Sequence, residues 1–228
     1  MPEGSEETGR PRVTIHCAQS LDGRIATRTG ASQWIGNEES LHLAHRLRAQ
    51  SDAVLVGVGT VLADDPQLTV RRVEGRNPLR VVVDSTLRIP LTCALLSRDA
   101  HTTIVATTDR GQASKADAIQ SVGARVLRIG SDPQGRVDLQ RLLECLRGEQ
   151  VQSVLAEGGS GLLTSLIRLR LVDHVIICVA PMIVGRGIDA IGDLGVEDLN
   201  QAVKLEHVSY EALGDNVIVR GDVIGGEG

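Results

Sequence analysis

The chain has 228 residues, 42% of them hydrophobic, and carries a net charge of -5 at pH 7. That length is enough for one large α/β domain with a full core, and the acidic balance argues against a general nucleic-acid binder. No apolar stretch reaches the ~20 residues that span a bilayer, and four scattered cysteines without a C-x-x-C pair predict reduced core thiols in a cytoplasmic protein.

Residues 1–11 are expected to form a disordered tail, 12–223 a single domain and 224–228 a flexible tail. RVTIHCAQ at 12–19 is a β-rich run that suits a central first strand and contains His16. A turn over 20–24 and a glycine-bounded loop from Gly30 to Gly36 follow. The loop displays Ser32 and Trp34, in a chain with no Phe, one Tyr and one Trp. Asn37 is the expected N-cap of a helix over 38–50, with Glu38 and Glu39 favouring its dipole and Leu41, Ala44, Leu47 and Arg48 at helical spacing. His42 and His45 lie three apart on it, but no acid or cysteine completes a ligand set, so both are assigned solvated or structural roles and no metal is expected.

Asp52–Val56 is a buried strand, after which Gly57 and Gly59 allow a sharp turn or close approach to a ligand. Pro66 ends any short helix begun at Thr60, leaving Asp64 and Asp65 on a constrained turn where one can face a ligand and the other cap. Leu68-Thr69-Val70 is β-prone, and strand alternation would send Arg71 and Arg72 to opposite faces, so that one guanidinium meets a phosphate or carboxylate.

Leu79–Asp84 is the next buried strand, with Ser85 at its end. A strand over 101–108, a helix over 112–122, a strand over 124–129 and a helix over 138–147 complete a βαβ-like alternation. This pattern predicts a mostly parallel sheet flanked by helices, with ligands beyond the strands' carboxyl ends. Thr107, Thr108 and Arg110 would follow one such end and could meet a 2′-phosphate. Val151–Glu157, the turn Gly158-Gly159-Ser160-Gly161 and a helix over 162–169 make a strand, glycine turn and helix N-terminus that can hold a diphosphate without lysine. A strand over 171–179, a glycine-bearing loop over 181–189 and a hairpin over 203–210 and 216–223 make the sheet mixed. The dinucleotide fingerprint fails because Leu62 stands where its third glycine belongs, and no P-loop lysine motif exists.

S-L-D-G-R-I-A at 20–26, S-Q-W-I at 32–35, L-R-A at 47–49, G-T-V-L-A-D-D-P-Q-L-T-V-R at 59–71 and A-E-G-G at 156–159 together resemble the reductase domain of riboflavin biosynthesis, in order and in spacing. The resemblance runs from about residue 12 to 223. It implies a dihydrofolate reductase-like α/β fold with a mixed, mostly parallel sheet and a C-terminal antiparallel hairpin, NADPH as cofactor, and a cytoplasmic homodimer. The implied reaction reduces the ribose of a ribosylaminopyrimidine 5′-phosphate, either 5-amino-6-(5-phosphoribosylamino)uracil or its 2,5-diamino precursor, to a ribityl chain.

Motif matching implies NADPH contacts at Ala18, Trp34, Thr60, Asp64, Ser85 and the loop from Gly158 through Gly159, Ser160, Gly161, Leu162 and Leu163 to Ser165. It implies substrate contacts at Ser32, Arg48, Leu68, Arg71 and Glu157, and so selects Arg71 over Arg72. Where many members carry lysine four residues before the S-L-D-G serine, this chain has His16, a substrate-binding position whose charge depends on pH. Asp64 and Glu157 are the acids that both the strand-end argument and the resemblance bring to the ligand, and either can relay a proton or stabilise an iminium. No zinc-deaminase pattern is present, so a separate deaminase is expected. The alternatives are a related reductase of a pterin, folate or other imine, and a nucleotide-binding module without turnover.

Overall fold

The computed structural model describes residues 9–225. Its main sheet is built from β1 (Arg12–Ser20), β3 (Ala53–Gly57), β4 (Leu79–Val83), β5 (Thr103–Thr107), β6 (Arg125–Arg128), β7 (Ser153–Glu157), β8 (His174–Ala180), β10 (Leu205–Leu213) and β11 (Asn216–Val223). Their order across the sheet is β10-β11-β8-β1-β7-β3-β4-β5-β6. From β8 to β6 every neighbouring pair is parallel, while β11 runs antiparallel to β8 and to β10. The expected mixed sheet with a closing hairpin is therefore present.

Strand alternation divides the core into two faces. In β3, Ala53 and Leu55 join the cluster that holds Leu142, Leu143 and Leu146 of α5 (Leu139–Gly148) and Leu163 and Leu166 of α6 (Ser160–Arg168). Val54 and Val56 face the other way, toward Val58 and Val61 of α2 (Val58–Asp64) and Ala116 and Ile119 of α4 (Ala113–Ser121). On that second face α1 (Glu38–Ala49) lays Leu43 and Leu47 against Leu155 of β7 and Ile176 of β8. Asn37 caps α1 as expected, its side chain accepting the N–H of Ser40 at 2.9 Å.

Several boundaries differ from expectation. Arg10, assigned to the tail, is buried and forms a fork-like pair with Asp173 through two bonds of 2.7 Å, so order begins before β1. Residues 1–8 and 226–228, the rest of the two expected tails, lie outside the described residues. Ile224 still donates its N–H to Lys204 O at 3.0 Å. The expected turn after β1 leads into β2 (Arg24–Thr27), which pairs with β9 (Gly187–Asp189) inside the expected loop. These strands of four and three residues are too short to show alternation. A one-turn helix, α3 (Ala94–Ser97), also lies between β4 and β5. Cys17, Cys93 and Cys178 are buried as expected of core thiols, but Cys145 is exposed on α5.

Leu68-Thr69-Val70 forms no strand. Leu68 has φ +53°, a left-handed turn that ends extended geometry before any ladder can form. Arg71 and Arg72 are therefore not held on opposite faces of a strand.

Candidate active site

The parallel strands β7 and β3 end side by side, and register pairs Glu157, the last residue of β7, with His16 of β1. Two residues before Glu157, Leu155 packs against α1, so the period of the strand turns the Glu157 carboxylate toward α1 as well. The last turn of α1 carries Arg48 to meet it. Arg48 Nε donates to Glu157 Oε1 at 2.9 Å and Oε2 at 3.1 Å, and Nη2 donates to Oε2 at 2.6 Å. This close, largely buried pair forms the floor of a cavity of about 450 Å³.

His16, Ala18, Thr60, Leu68, Gly158 and Gly159 line the same cavity. The His16 ring is buried, and its Nε2 has no hydrogen-bond partner among the described residues. Burial lowers its pKa below the ordinary 6.5; the nearby Glu157 carboxylate opposes this and Arg48 adds to it. The ring is thus neutral near pH 7.

The two adjacent aspartates separate. Asp65 takes a left-handed conformation at the end of α2, and its Oδ1 accepts the N–H of Ala94 at 2.7 Å. Asp64 instead lines the cavity, exposed to solvent, with Oδ1 3.4 Å from the hydroxyl of Ser32. The left-handed turn at Asp65 aims the two side chains apart, giving one the capping role and the other the ligand-facing one.

Toward solvent, the cavity continues through Ser32, Asp64, Pro66 and Leu68 into a mouth of about 360 Å³. Arg48, Arg71 and Arg72 all line this mouth, so the two arginines expected on opposite faces share one site. Arg71 donates to Thr69 Oγ1 at 2.8 Å and Gln67 Oε1 at 3.2 Å, while Arg72 pairs with Glu38. Burial lowers the pKa of Arg71, and the charges of Arg48 and Arg72 lower it further. Arg48 and Arg72 are already paired, with Glu157 and Glu38, while Arg71 has no acid partner among the described residues, so its guanidinium, with two more beside it, suits a phosphate. Trp34, exposed, lies at this mouth.

In the other direction Gly59 is shared with a larger cavity of about 750 Å³, lined by Ser85, Gly161, Leu162 and Ser165. The Ser85 hydroxyl accepts the N–H of Val137 at 3.1 Å. At the junction, Thr60 Oγ1 accepts the N–H of Gly159 at 3.0 Å, tying the start of α2 to the glycine turn. Gly159 caps α6 without any side-chain bond, so the positive end of the helix is open to an anion. Two cavities that share Gly59 beside an uncapped helix start fit a dinucleotide, with its diphosphate at that start.

Not every expected contact lies here. Leu163 is fully buried in the core, because α6 begins at Ser160 and its period turns Leu163 toward the sheet. Ser160 lines neither cavity and lies beside Gly192 instead. Thr107 and Thr108 are buried, with Thr108 bonded to Ser85 O, and Arg110 donates to Gly135 O. The cations that line the larger cavity are Arg88 and Arg136, the latter held by Asp132 at 2.9 Å. Both stand on loops after strand ends, where no local pattern marks them. His45, read as structural or solvated, is buried and yet lines the arginine mouth.

Residues 11–219 match the family described as the RibD C-terminal domain. The chain is 41% identical to the 2,5-diamino-6-ribosylamino-4(3H)-pyrimidinone 5′-phosphate reductase of Methanothermobacter thermautotrophicus over 95% of this chain and 100% of that protein. It is 36% identical to the riboflavin biosynthesis protein RibD of Aquifex aeolicus over 92% of its own length, but spans only 57% of that protein. Acinetobacter baumannii RibD has the same fold with a TM-score of 0.80 and 30% identity, over 95% of this chain and 59% of that one. Dihydrofolate reductase from Enterococcus faecalis, at 12% identity and a TM-score of 0.51 over 93% and 96% of the two chains, shares the fold alone. The chain belongs to the RibD C-terminal domain family, with a dihydrofolate reductase-like fold.

Proposed function

We propose that this chain reduces the ribose of a ribosylaminopyrimidine 5′-phosphate to the ribityl product, with NADPH, in riboflavin biosynthesis. The observation that carries the reading is the position of the Arg48–Glu157 pair. It lies between an arginine mouth fit for a phosphate and an uncapped helix start fit for a dinucleotide.

When bound, the cofactor supplies a hydride to C1′ of the sugar. The protein's own groups orient and stabilise. Arg71 and Arg48 hold the 5′-phosphate, and the Ser32 hydroxyl, beside Asp64, meets the sugar. Glu157, already accepting three N–H bonds from Arg48, stabilises positive charge on the opened iminium. Asp64, open to solvent and unpaired with any cation among the described residues, relays the proton. Neutral His16 faces the pyrimidine end and can donate or accept there. Arg88 and Arg136, which line the larger cavity, would hold the 2′-phosphate of the cofactor.

The chain works as a cytoplasmic homodimer, and deamination is the task of another polypeptide or domain. Incubation with each pyrimidine phosphate and NADPH, followed by mass analysis, tests the assignment. The product must gain one hydride and one proton, and an unchanged substrate mass for both would refute it.

A further inference from the structure

His45 lies on α1 one turn before Arg48 and belongs to none of the assigned contacts. Its ring is only 3% exposed, yet it lines the arginine mouth with Arg48, Arg71 and Arg72. Its Nδ1 accepts the backbone N–H of Arg71 at 2.9 Å. An acceptor nitrogen carries no proton, so the ring must be neutral with its proton on Nε2. Its surroundings enforce this: burial first, then the charges of Arg48, Arg71 and Arg72, push its pKa down to about 4.

The bond matters because of where Arg71 stands. After the left-handed turn at Leu68 the chain has no strand ladder to hold it. Two side chains substitute: Asn77 Oδ1 accepts the N–H of Val70 at 2.7 Å, and His45 accepts that of Arg71. A carboxylate could hold Arg71 equally well, but it would compete with an incoming anion for the one guanidinium group of the mouth that has no acid partner among the described residues. A neutral imidazole accepts the bond and leaves the positive field intact.

We infer that His45 is a positioning residue for phosphate recognition, fixing the backbone of Arg71 so that its guanidinium faces the mouth. This inference rests on the reading of that mouth as the site for a 5′-phosphate.

Calorimetric titration with ribose 5-phosphate tests it, using the wild type, His45→Ala, His45→Asn and, as a control, Arg71→Met. Loss of the brace should weaken binding about 10-fold in His45→Ala, the upper range for one hydrogen bond. Asparagine Oδ1 can take over from Nδ1, so His45→Asn should recover most of the affinity. NADPH affinity should stay unchanged in both. In turnover, His45→Ala should raise KM for the phosphorylated substrate and leave kcat within about 2-fold, as expected for loss of uniform binding.

Wild-type affinity in His45→Ala, equal loss of NADPH and ribose 5-phosphate binding, or no recovery in a folded His45→Asn would each overturn the inference. So would a wild type that does not bind ribose 5-phosphate. If His45-dependent binding is present but neither pyrimidine phosphate is reduced, the proposed reaction fails and the positioning role stands.

Discussion

Arg48 and Glu157 are joined by three hydrogen bonds of 2.6–3.1 Å across the gap between the end of α1 and the end of β7. Removing one partner of such a low-exposure pair strands the other charge, at a typical cost of about 3–5 kcal/mol. Arg48→Met should therefore lower the unfolding free energy by that order, and Arg48→Met with Glu157→Gln should lose less than the sum of the single changes. Denaturant unfolding of the double-mutant cycle checks this.

Asp64→Asn should lower kcat about 100-fold or more, the scale of a positioned acid-base group, and Glu157→Gln should do so about equally through loss of the charge that stabilises the iminium. Their stabilities should part company. Asp64 is exposed and weakly bonded, so Asp64→Asn should unfold like the wild type, whereas Glu157→Gln should be measurably weaker. Unchanged kcat in both would remove these acids from the reaction.

Arg88 and Arg136 line the larger cavity, and Arg88 is bound to no acid among the described residues. Arg88→Ala should raise KM for NADPH about 10-fold, consistent with the loss of one or two charge-assisted bonds, and leave KM for NADH unchanged. Arg136→Ala should do the same more weakly, since Asp132 already engages it. Equal effects on both cofactors would place the 2′-phosphate elsewhere.

Two buried histidines set a pH dependence. The folded-state pKa of His45 is about 4 and that of His16 is also lowered, so both rings stay neutral where an unfolded chain, with the ordinary value of 6.5, takes up protons. Their contribution to stability is complete above about pH 6.5 and declines as pH falls toward 4. Below about 4 the His45 part is spent. Thermal midpoints across this range should fall more steeply for the wild type than for a His16→Asn, His45→Asn double variant. Parallel profiles would contradict the assignment.

Much of this architecture was legible in the sequence because its causes are local. Asn37 capping α1, the buried runs at Asp52–Val56 and Leu79–Asp84, and the glycine turn after Glu157 follow from capping chemistry, apolar runs and backbone freedom. The failures lie where tertiary structure overrides local preference. Leu68 adopts φ +53° against its β propensity, and both arginines after it then reach one mouth. The helix expected over 162–169 begins two residues earlier, at Ser160, which turns the Leu163 side chain into the core. The approach of His45 to Arg71 joins residues 26 apart in sequence, and no periodicity announces it.

The most direct test of the account is NADPH oxidation by the purified protein, offered the deaminated and undeaminated ribosylaminopyrimidine phosphates separately, with dihydrofolate alongside. The account predicts saturable turnover of one pyrimidine phosphate, its loss in Asp64→Asn and in Glu157→Gln, and no turnover of dihydrofolate. Silence on both pyrimidines with NADPH still bound, or turnover of dihydrofolate in their place, would contradict it.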